Sequence, residues 1–271
     1  MNGRDGQPSF VHSLGARVLG LVSYVGGLVL LLGAALRLSW QGALGRRASR
    51  EAAAYQMVRV GVRSLGIVSL VQLFIGVILA LQMAPPLEPL GQLDKISMII
   101  GVAGFRMLGP IITGVVLSGF AGASIAAEIG TMVVAEEIEA LQAHALNPVR
   151  FLVVPRVLAT FVMMVLLTVI ANCMIALGGY LTSMWVLGSQ VSEHYWENMQ
   201  TQLRIRDFVS GLIMAGVFGL LISLIACYEG LRVRGGAEGV GRATTMTVVY
   251  SIVGIVGAAC VFTAIFYVFK F

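Results

Sequence analysis

Residues 157–192 read VLATFVMMVLLTVIANCMIALGGYLTSMWVLGSQVS, 36 consecutive positions without an Asp, Glu, Lys or Arg. About 20 apolar helical residues cross the hydrocarbon core of a bilayer, so this stretch is read as a membrane-spanning helix with length to spare. The surplus is expected either to project from the bilayer or to end in an irregular turn at Gly188-Ser189. Working outward, other charge-free intervals lie between Arg17 and Arg37 (19 residues), Arg63 and Glu88 (24), Asp207 and Glu229 (21), and Arg242 and Lys270 (27). The interval from Lys95 to Glu128 is interrupted only by Arg106. Across the chain 58% of residues are hydrophobic and 11% charged, with a mean hydropathy of +0.92. Soluble domains carry roughly a quarter charged residues. The sequence therefore describes a multi-pass, all-α membrane protein.

The bases give the orientation. The net charge is +5, and 16 of the 18 basic residues are Arg. In a soluble protein a pI of 9.4 would suggest nucleic acid. Here the bases flank apolar spans, so the preference of Lys and Arg for the cytoplasmic side explains them and no nucleic-acid partner is expected. Residues 37–63 hold Arg37, Arg46, Arg47, Arg50, Arg59 and Arg63 against Glu51, and are placed inside. A span near 64–83 then leads out, broken by Ala84-Pro85-Pro86 and Pro89. A second returns within 96–126, leaving 128–156 inside. A third leaves from about 157, and 193–207 forms an outer loop. A fourth, 208–228, returns to Arg232, Arg234 and Arg242, and a fifth, near 244–269, leaves again. Hydropathy alone does not decide whether 18–36, with Gly26, Gly27 and Gly33, crosses the membrane or lies in its interface. The same segment imitates a secretion signal. With the chain starting at Met1, it is expected to be retained as a membrane-associated helix.

Chemistry is sparse. Cys173, Cys227 and Cys260 lie within apolar intervals and read as small buried hydrophobes, with no disulfide or metal spacing. His12, His144 and His194 are scattered, and no nucleophile–base grouping appears. No cofactor, metal or catalytic residue is expected. The run from Arg232 through Gly235-Gly236 to Arg242 is glycine-rich, but lacks the strand and the Gly-Lys-Ser/Thr ending of a phosphate loop.

Four features carry more specific expectations. Gly114, Ser118, Gly122 and Ala126, four apart, form a small-residue stripe for close helix packing, either within the chain or at a dimer seam. In the inner segment Val134, Ile138, Leu141 and Ala145 recur at helical spacing, with Glu128, Glu136, Glu137 and Glu139 leaving the rest acidic and Asn147-Pro148 ending the helix. Helices lying on membrane surfaces favour Lys and Arg, so an acidic one points to a protein partner. Arg106 is a lone charge in an apolar interval. At mid-bilayer it costs about 2.5–3.5 kcal/mol, so it faces a polar cavity or partner, or snorkels to the outer interface. On the first span Phe74, Ile75, Ile78, Leu79 and Gln82 share one broad face.

The run AEIGTMVVAEEIEALQAHALNPVRFLVVPR (127–156) closely resembles the signature of the MlaE/YrbE permease family, membrane subunits of bacterial ABC systems that move lipids with MCE-domain proteins. Phe105-Arg106-Met107-Leu108-Gly109-Pro110 resembles the family's Arg-Glu-Leu-Gly-Pro element. Gly239-Val240-Gly241-Arg242-Ala243-Thr244-Thr245, with Val248-Val249, resembles its last inner loop and span. The likeness runs from about residue 55, dividing the chain into an N-terminal helix and linker (1–54) and a permease domain (55–271). It implies an interfacial first helix, five spans and a coupling helix at about 128–146. It also implies two copies of the permease, two cytoplasmic ATPases docked through Glu128, Glu136, Glu137, Ile138 and Leu141, and a periplasmic MCE ring, and it leaves room for a STAS-type accessory protein. The implied location is the bacterial inner membrane, the implied cargo a phospholipid, and the permease is not itself an enzyme. A lipid cavity at the dimer interface would take its apolar wall from Phe74, Ile75, Ile78 and Leu79, with Gln82 and Arg106 near its outer mouth. The family usually has Glu at Met107, Arg at Phe120 and Arg-Val-Thr at Val133-Val134-Ala135. Met107 thus removes the neighbouring counter-ion of Arg106, which either pairs elsewhere or meets the lipid phosphate. The competing classes are an ion-coupled secondary transporter, which would want acids inside spans, and a membrane scaffold that transports nothing.

Overall fold

The computed structural model describes residues 10–38 and 47–269. Arg46, one of the expected inner bases, lies outside them. Helix α1 (Phe10–Leu38) is followed by α2 (Glu51–Leu87), α3 (Lys95–Val134), short α4 (Glu137–Ala143), α5 (Val149–Leu187), short α6 (Ser189–Glu193) and α7 (Tyr195–Gln202), then α8 (Ile205–Leu231) and α9 (Gly236–Val268). Among the described residues, helices α2, α3, α5, α8 and α9 are the five long and apolar enough to cross a membrane.

Helix α1 is not among them, because its apolar run covers only Val22–Leu38. Leu28, Leu31, Leu32, Ala35 and Leu38 pack on Val153, Val154 and Val157 of α5 and on Leu224 and Cys227 of α8. All these partners lie at the inner ends of their helices. A spanning helix would meet neighbours through the depth of the bilayer, whereas α1 lies across one end of the bundle.

The bundle is assembled around α8, where Gly211, Ala215, Gly219, Ser223 and Cys227 recur every four residues and are all buried. Gly211 abuts the carbonyl of Phe105 on α3, and Gly219 that of Thr160 on α5. Helices α2 and α5 cross through a reciprocal pair: Gly76 sits against the Ile175 carbonyl, and Gly178 against the Leu73 carbonyl. Lipid tails are as apolar as leucine, so close packing of this kind, rather than a hydrophobic drive, holds membrane helices together. A buried polar link adds to it, with Gln72 Nε2 donating to the Gly109 carbonyl at 3.0 Å and to Thr113 Oγ1 at 2.8 Å.

Three expectations are corrected. Helix α2 continues through Pro85-Pro86 to Leu87 instead of breaking at Ala84. Two prolines in the last turn cost two donors, but the carbonyls thereby freed sit at the outer end, where water reaches them. The outer stretch 193–207 is largely helical, not an open loop. The Tyr195 side chain is buried and its hydroxyl donates to the Ala176 carbonyl at 3.1 Å, while Met199 packs over Gly101. Burial pushes the Tyr195 hydroxyl well above its usual pKa. Residues 128–146 do not form one helix. The chain breaks at Ala135-Glu136, with Glu136 at φ 59°, so α3 ends at Val134 and α4 begins at Glu137.

Among the described residues, five widened π-type turns punctuate the long helices: Val58–Val62, Gly104–Leu108, Ser118–Gly122, Val149–Val153 and Ser183–Leu187. Each re-aims the side chains within it. Arg59, Arg106 and Phe120 all lie in such turns. The last of the five ends at Gly188, whose φ of 97° is the irregular turn anticipated there.

Candidate functional site

At the inner end an ion cluster joins three helices. Arg59 on α2 donates from Nη1 to Glu128 Oε2 at 2.6 Å and from Nη2 to Ser124 Oγ at 3.3 Å. The other Glu128 oxygen meets Arg156 Nη2 of α5 at 3.0 Å, and Arg156 Nη1 donates to the Leu152 carbonyl at 2.8 Å. Glu128 was expected on an acidic, partner-facing helix. It belongs instead to α3, and its charge is spent on the permease's own arginines.

The remaining coupling candidates divide by face. Ile138 is buried and Leu141 half-buried on the cluster containing Ile129, Leu152 and Leu224, so these two hold α4 to the body. Glu136, Glu137 and Glu139 are exposed on the inner surface. The exit from α4 is a Schellman turn: Leu146 N–H donates to the Leu141 carbonyl at 3.0 Å, and Ala145 N–H to that of Gln142 at 2.9 Å. Ala145 takes φ 56° where glycine is usual. Asn147 does not end this helix; it starts the next, its Oδ1 accepting from the Val149 amide at 3.0 Å, with Pro148 in the first helical position.

At the outer end Arg106 is not without a carboxylate. Its Nη1 lies 3.6 Å from Asp207 Oδ1, and its guanidinium sits 5.1 Å from the centroid of the Phe266 ring on α9. Asp207 also caps α8, accepting the Arg204 amide at 3.2 Å. Met107, in place of the family's Glu, receives the Thr263 hydroxyl at 3.8 Å on its sulfur. The absence of a competing carboxylate, expected from Met107, is therefore corrected: α8 supplies one.

Phe74 and Ile78 are more than half exposed, at 54% and 51%. Ile75 is partly buried and Gln82 exposed, while Leu79 packs with Ala80, Ile96 and Ile100. Arg106 faces α8 and α9 through Asp207 and Phe266. The Gly114, Ser118, Gly122 and Ala126 stripe is buried within the chain. A Cβ at Gly114 would meet Ile255 at 3.2 Å, and one at Gly122 would meet Ile222 at 3.2 Å. Of its two readings, intrachain packing describes this placement, and the stripe is not open to a second copy.

Sequence reasoning missed Asp207, Arg59 and the α8 stripe. The stripe was in plain view as small residues at spacing four. The two ion-pair partners lie on other helices, and no local pattern marks them. The glycine-rich run is mostly helical: Gly235 and Gly236 take φ 88° and 70°, and α9 starts directly there.

The profile of the Permease MlaE family matches residues 53–265. A probable ABC transporter permease protein of Rickettsia typhi is 38% identical over 72% of this chain and 75% of its own. One of Synechocystis is 34% identical over 79% and 80%. The chloroplastic protein TRIGALACTOSYLDIACYLGLYCEROL 1 of Arabidopsis thaliana is 35% identical over 78% of this chain and 60% of its own. With five spans, a short inner helix between the second and third, and this coverage, the chain belongs to the MlaE permease family and is the multi-pass, non-enzymatic membrane subunit of an ABC transporter that works with a partnering ATPase.

Proposed function

We propose that this permease moves phospholipid or a related amphipathic lipid between the inner and outer membranes of a bacterial envelope, and so sustains outer-membrane lipid asymmetry. The observation that carries the reading is the Arabidopsis relative, whose name is that of a glycerolipid, on a chain whose long helices turn apolar, half-exposed faces outward. In this reading the protein sits in the inner membrane as a pair of copies, takes up lipid on the α2 face of Phe74, Ile75, Ile78 and Leu79, and passes it to a periplasmic MCE ring. A STAS-type protein accompanies the ATPases. The division into an N-terminal part, 1–54, holding the interfacial helix α1 and a basic linker, and a permease domain, 55–271, belongs to the same reading. Glu136, Glu137 and Glu139 supply the docking face for the ATPase, with Ile138 and Leu141 as its anchors. Arg106, a quarter exposed at 27%, meets a lipid phosphate at the outer mouth beside Gln82, since its planar fork matches phosphate oxygens. Asp207 holds it in place until lipid arrives.

Membership of an ABC permease family sets aside the ion-coupled and scaffold alternatives. The acids at span ends, Glu128 and Asp207, are each held by arginine, which is not how an ion-coupling site is built. The test is Arg106→Ala, assayed for lipid phosphorus copurifying in mild detergent, for ATPase association and for lipid transfer. Lower lipid content and transfer with the ATPase still bound supports the reading. Unchanged lipid content and transfer overturns the role of Arg106.

A further inference from the structure

Two cavities open beside α1 and share the walls Tyr24 and Tyr250. One, of about 360 Å³, is polar: Arg232, Arg234 and Arg242 surround it, with Glu229 as the single carboxylate on its lining. The other, of about 780 Å³, is almost wholly apolar. It is floored by Leu28 and Leu32 of α1, Leu224 and Ile225 of α8, and Val253 and Gly254 of α9. The polar cavity is at the arginine-rich inner end, and the apolar one adjoins it as a groove between α1, α8 and α9.

The polar end is built rather than incidental. Arg232 Nη1 donates to the Tyr228 hydroxyl at 3.0 Å, and its guanidinium lies 5.0 Å from that ring's centroid. Tyr24 meets Tyr228 edge-on at 5.1 Å and Tyr250 at 5.2 Å, so the two rings that border both cavities, Tyr24 and Tyr250, are packed together, with Tyr228 behind them. Tyrosines favour this depth because the ring is apolar and the hydroxyl wet. The Tyr24 hydroxyl is buried beside the Glu229 carboxylate. Burial, with Glu229 beside it, raises its pKa, so it is a neutral donor at physiological pH. Arg234 and Arg242 form no ion pair with any described residue. Three guanidiniums against one carboxylate leave the cavity cationic.

We propose that this pair of cavities holds one anionic phospholipid of the inner leaflet, its phosphate among Arg232, Arg234 and Arg242 and an acyl chain along the α1 groove. A basic pocket between helices on the cytoplasmic side is the recurring form of a lipid headgroup site. The groove volume falls within the roughly 300–1,000 Å³ of small-molecule sites. A soluble phosphate compound would use the first cavity and leave the second, apolar one to water. The bound lipid bridges α1 to α9, tethering the interfacial helix to the last span. The site is separate from the outer mouth at Arg106 and does not depend on what the permease transports: a permease for another cargo would hold the lipid equally.

The experiment titrates the full-length protein in detergent with phosphatidylglycerol or phosphatidylcholine and counts bound lipid by native mass spectrometry. Two variants are compared, each checked for folding by its melting temperature and for ATPase copurification. Arg234→Gln/Arg242→Gln removes two charges that contact no described partner. Gly254→Leu projects into the groove, since a Cβ there meets only Ile225 Cδ1, at an ordinary 3.7 Å. The arginine double variant is expected to weaken phosphatidylglycerol binding roughly ten- to thirty-fold while leaving phosphatidylcholine unchanged. Gly254→Leu is expected to weaken both lipids, and millimolar inorganic phosphate to displace neither. Full phosphatidylglycerol binding by both variants overturns the proposal. So does displacement of the lipid by phosphate alone, which would make this a free-anion site. Efficient disulfide cross-linking of Val253→Cys between two copies overturns it as well, since the groove would then be covered by protein.

Discussion

Glu128→Gln keeps the shape of the side chain and removes its charge from a cluster that ties α2, α3 and α5 together. The Arg156 side chain is 5% exposed, so its guanidinium has little water to turn to once the carboxylate is gone. It keeps the Leu152 carbonyl, and its Nε already lacks a partner. Breaking a fully buried pair costs about 3–5 kcal/mol because the surviving charge is stranded. Glu128 itself is 27% exposed, so solvent screening reduces this to about 2–3 kcal/mol. At roughly 2–4 °C per kcal/mol for a chain of this size, the melting temperature should fall by roughly 5–10 °C. Arg59→Gln, on a side chain 28% exposed, should cost about 1 kcal/mol or less. The combination Glu128→Gln/Arg156→Met removes both charges and should recover most of the loss, because a buried pair replaced by apolar packing is often neutral. The assay is thermal unfolding of the purified permease in mild detergent, read by the surviving monodisperse fraction on size exclusion. A shift within 1 °C for Glu128→Gln, or a double variant less stable than the single, would refute the reasoning.

Glu137→Lys should weaken ATPase association several-fold in a pull-down with the permease still folded, whereas Leu141→Asp should release α4 from the body and abolish association; full binding by both would remove α4 as the docking element. Gly178→Leu should prevent recovery of folded permease, since its side chain would enter the Leu73 carbonyl, while Gly66→Leu, with open space around it, should be recovered at wild-type yield. Cysteines at Ser49 and Ala237 should resist a membrane-impermeant thiol reagent in intact cells and one at Glu193 should react; labelling at Ser49 from outside would reverse the orientation.

The spans were legible because charge is excluded from the bilayer core whatever the tertiary structure, so the 36-residue silence before Glu193 speaks for itself. Local propensity misled at Ala135-Glu136, two good helix formers that the fold nonetheless bends: seating Ile138 on the core requires the turn. Pro85-Pro86 misled in the opposite sense, since prolines at a helix end lose carbonyl partners that solvent replaces. Arg106 was correctly singled out as a charge in need of a partner. Asp207 was not found because pairing between helices depends on how they cross, and spacing along one helix carries no such record. The inner stripe on α8, from Gly211 to Cys227, follows the same four-residue rule as the one recognised on α3 and was equally readable.

The central claim is that a separate ATPase drives lipid through this permease, and its most direct measurement is ATP-dependent lipid movement by the complex purified from native membranes. Permease and ATPase should copurify in equal amounts. Reconstituted in liposomes with labelled phospholipid and a lipid acceptor outside, the complex should transfer lipid with ATP and not with a non-hydrolysable analogue. An equimolar complex that hydrolyses ATP while lipid transfer stays at the protein-free rate would contradict the account.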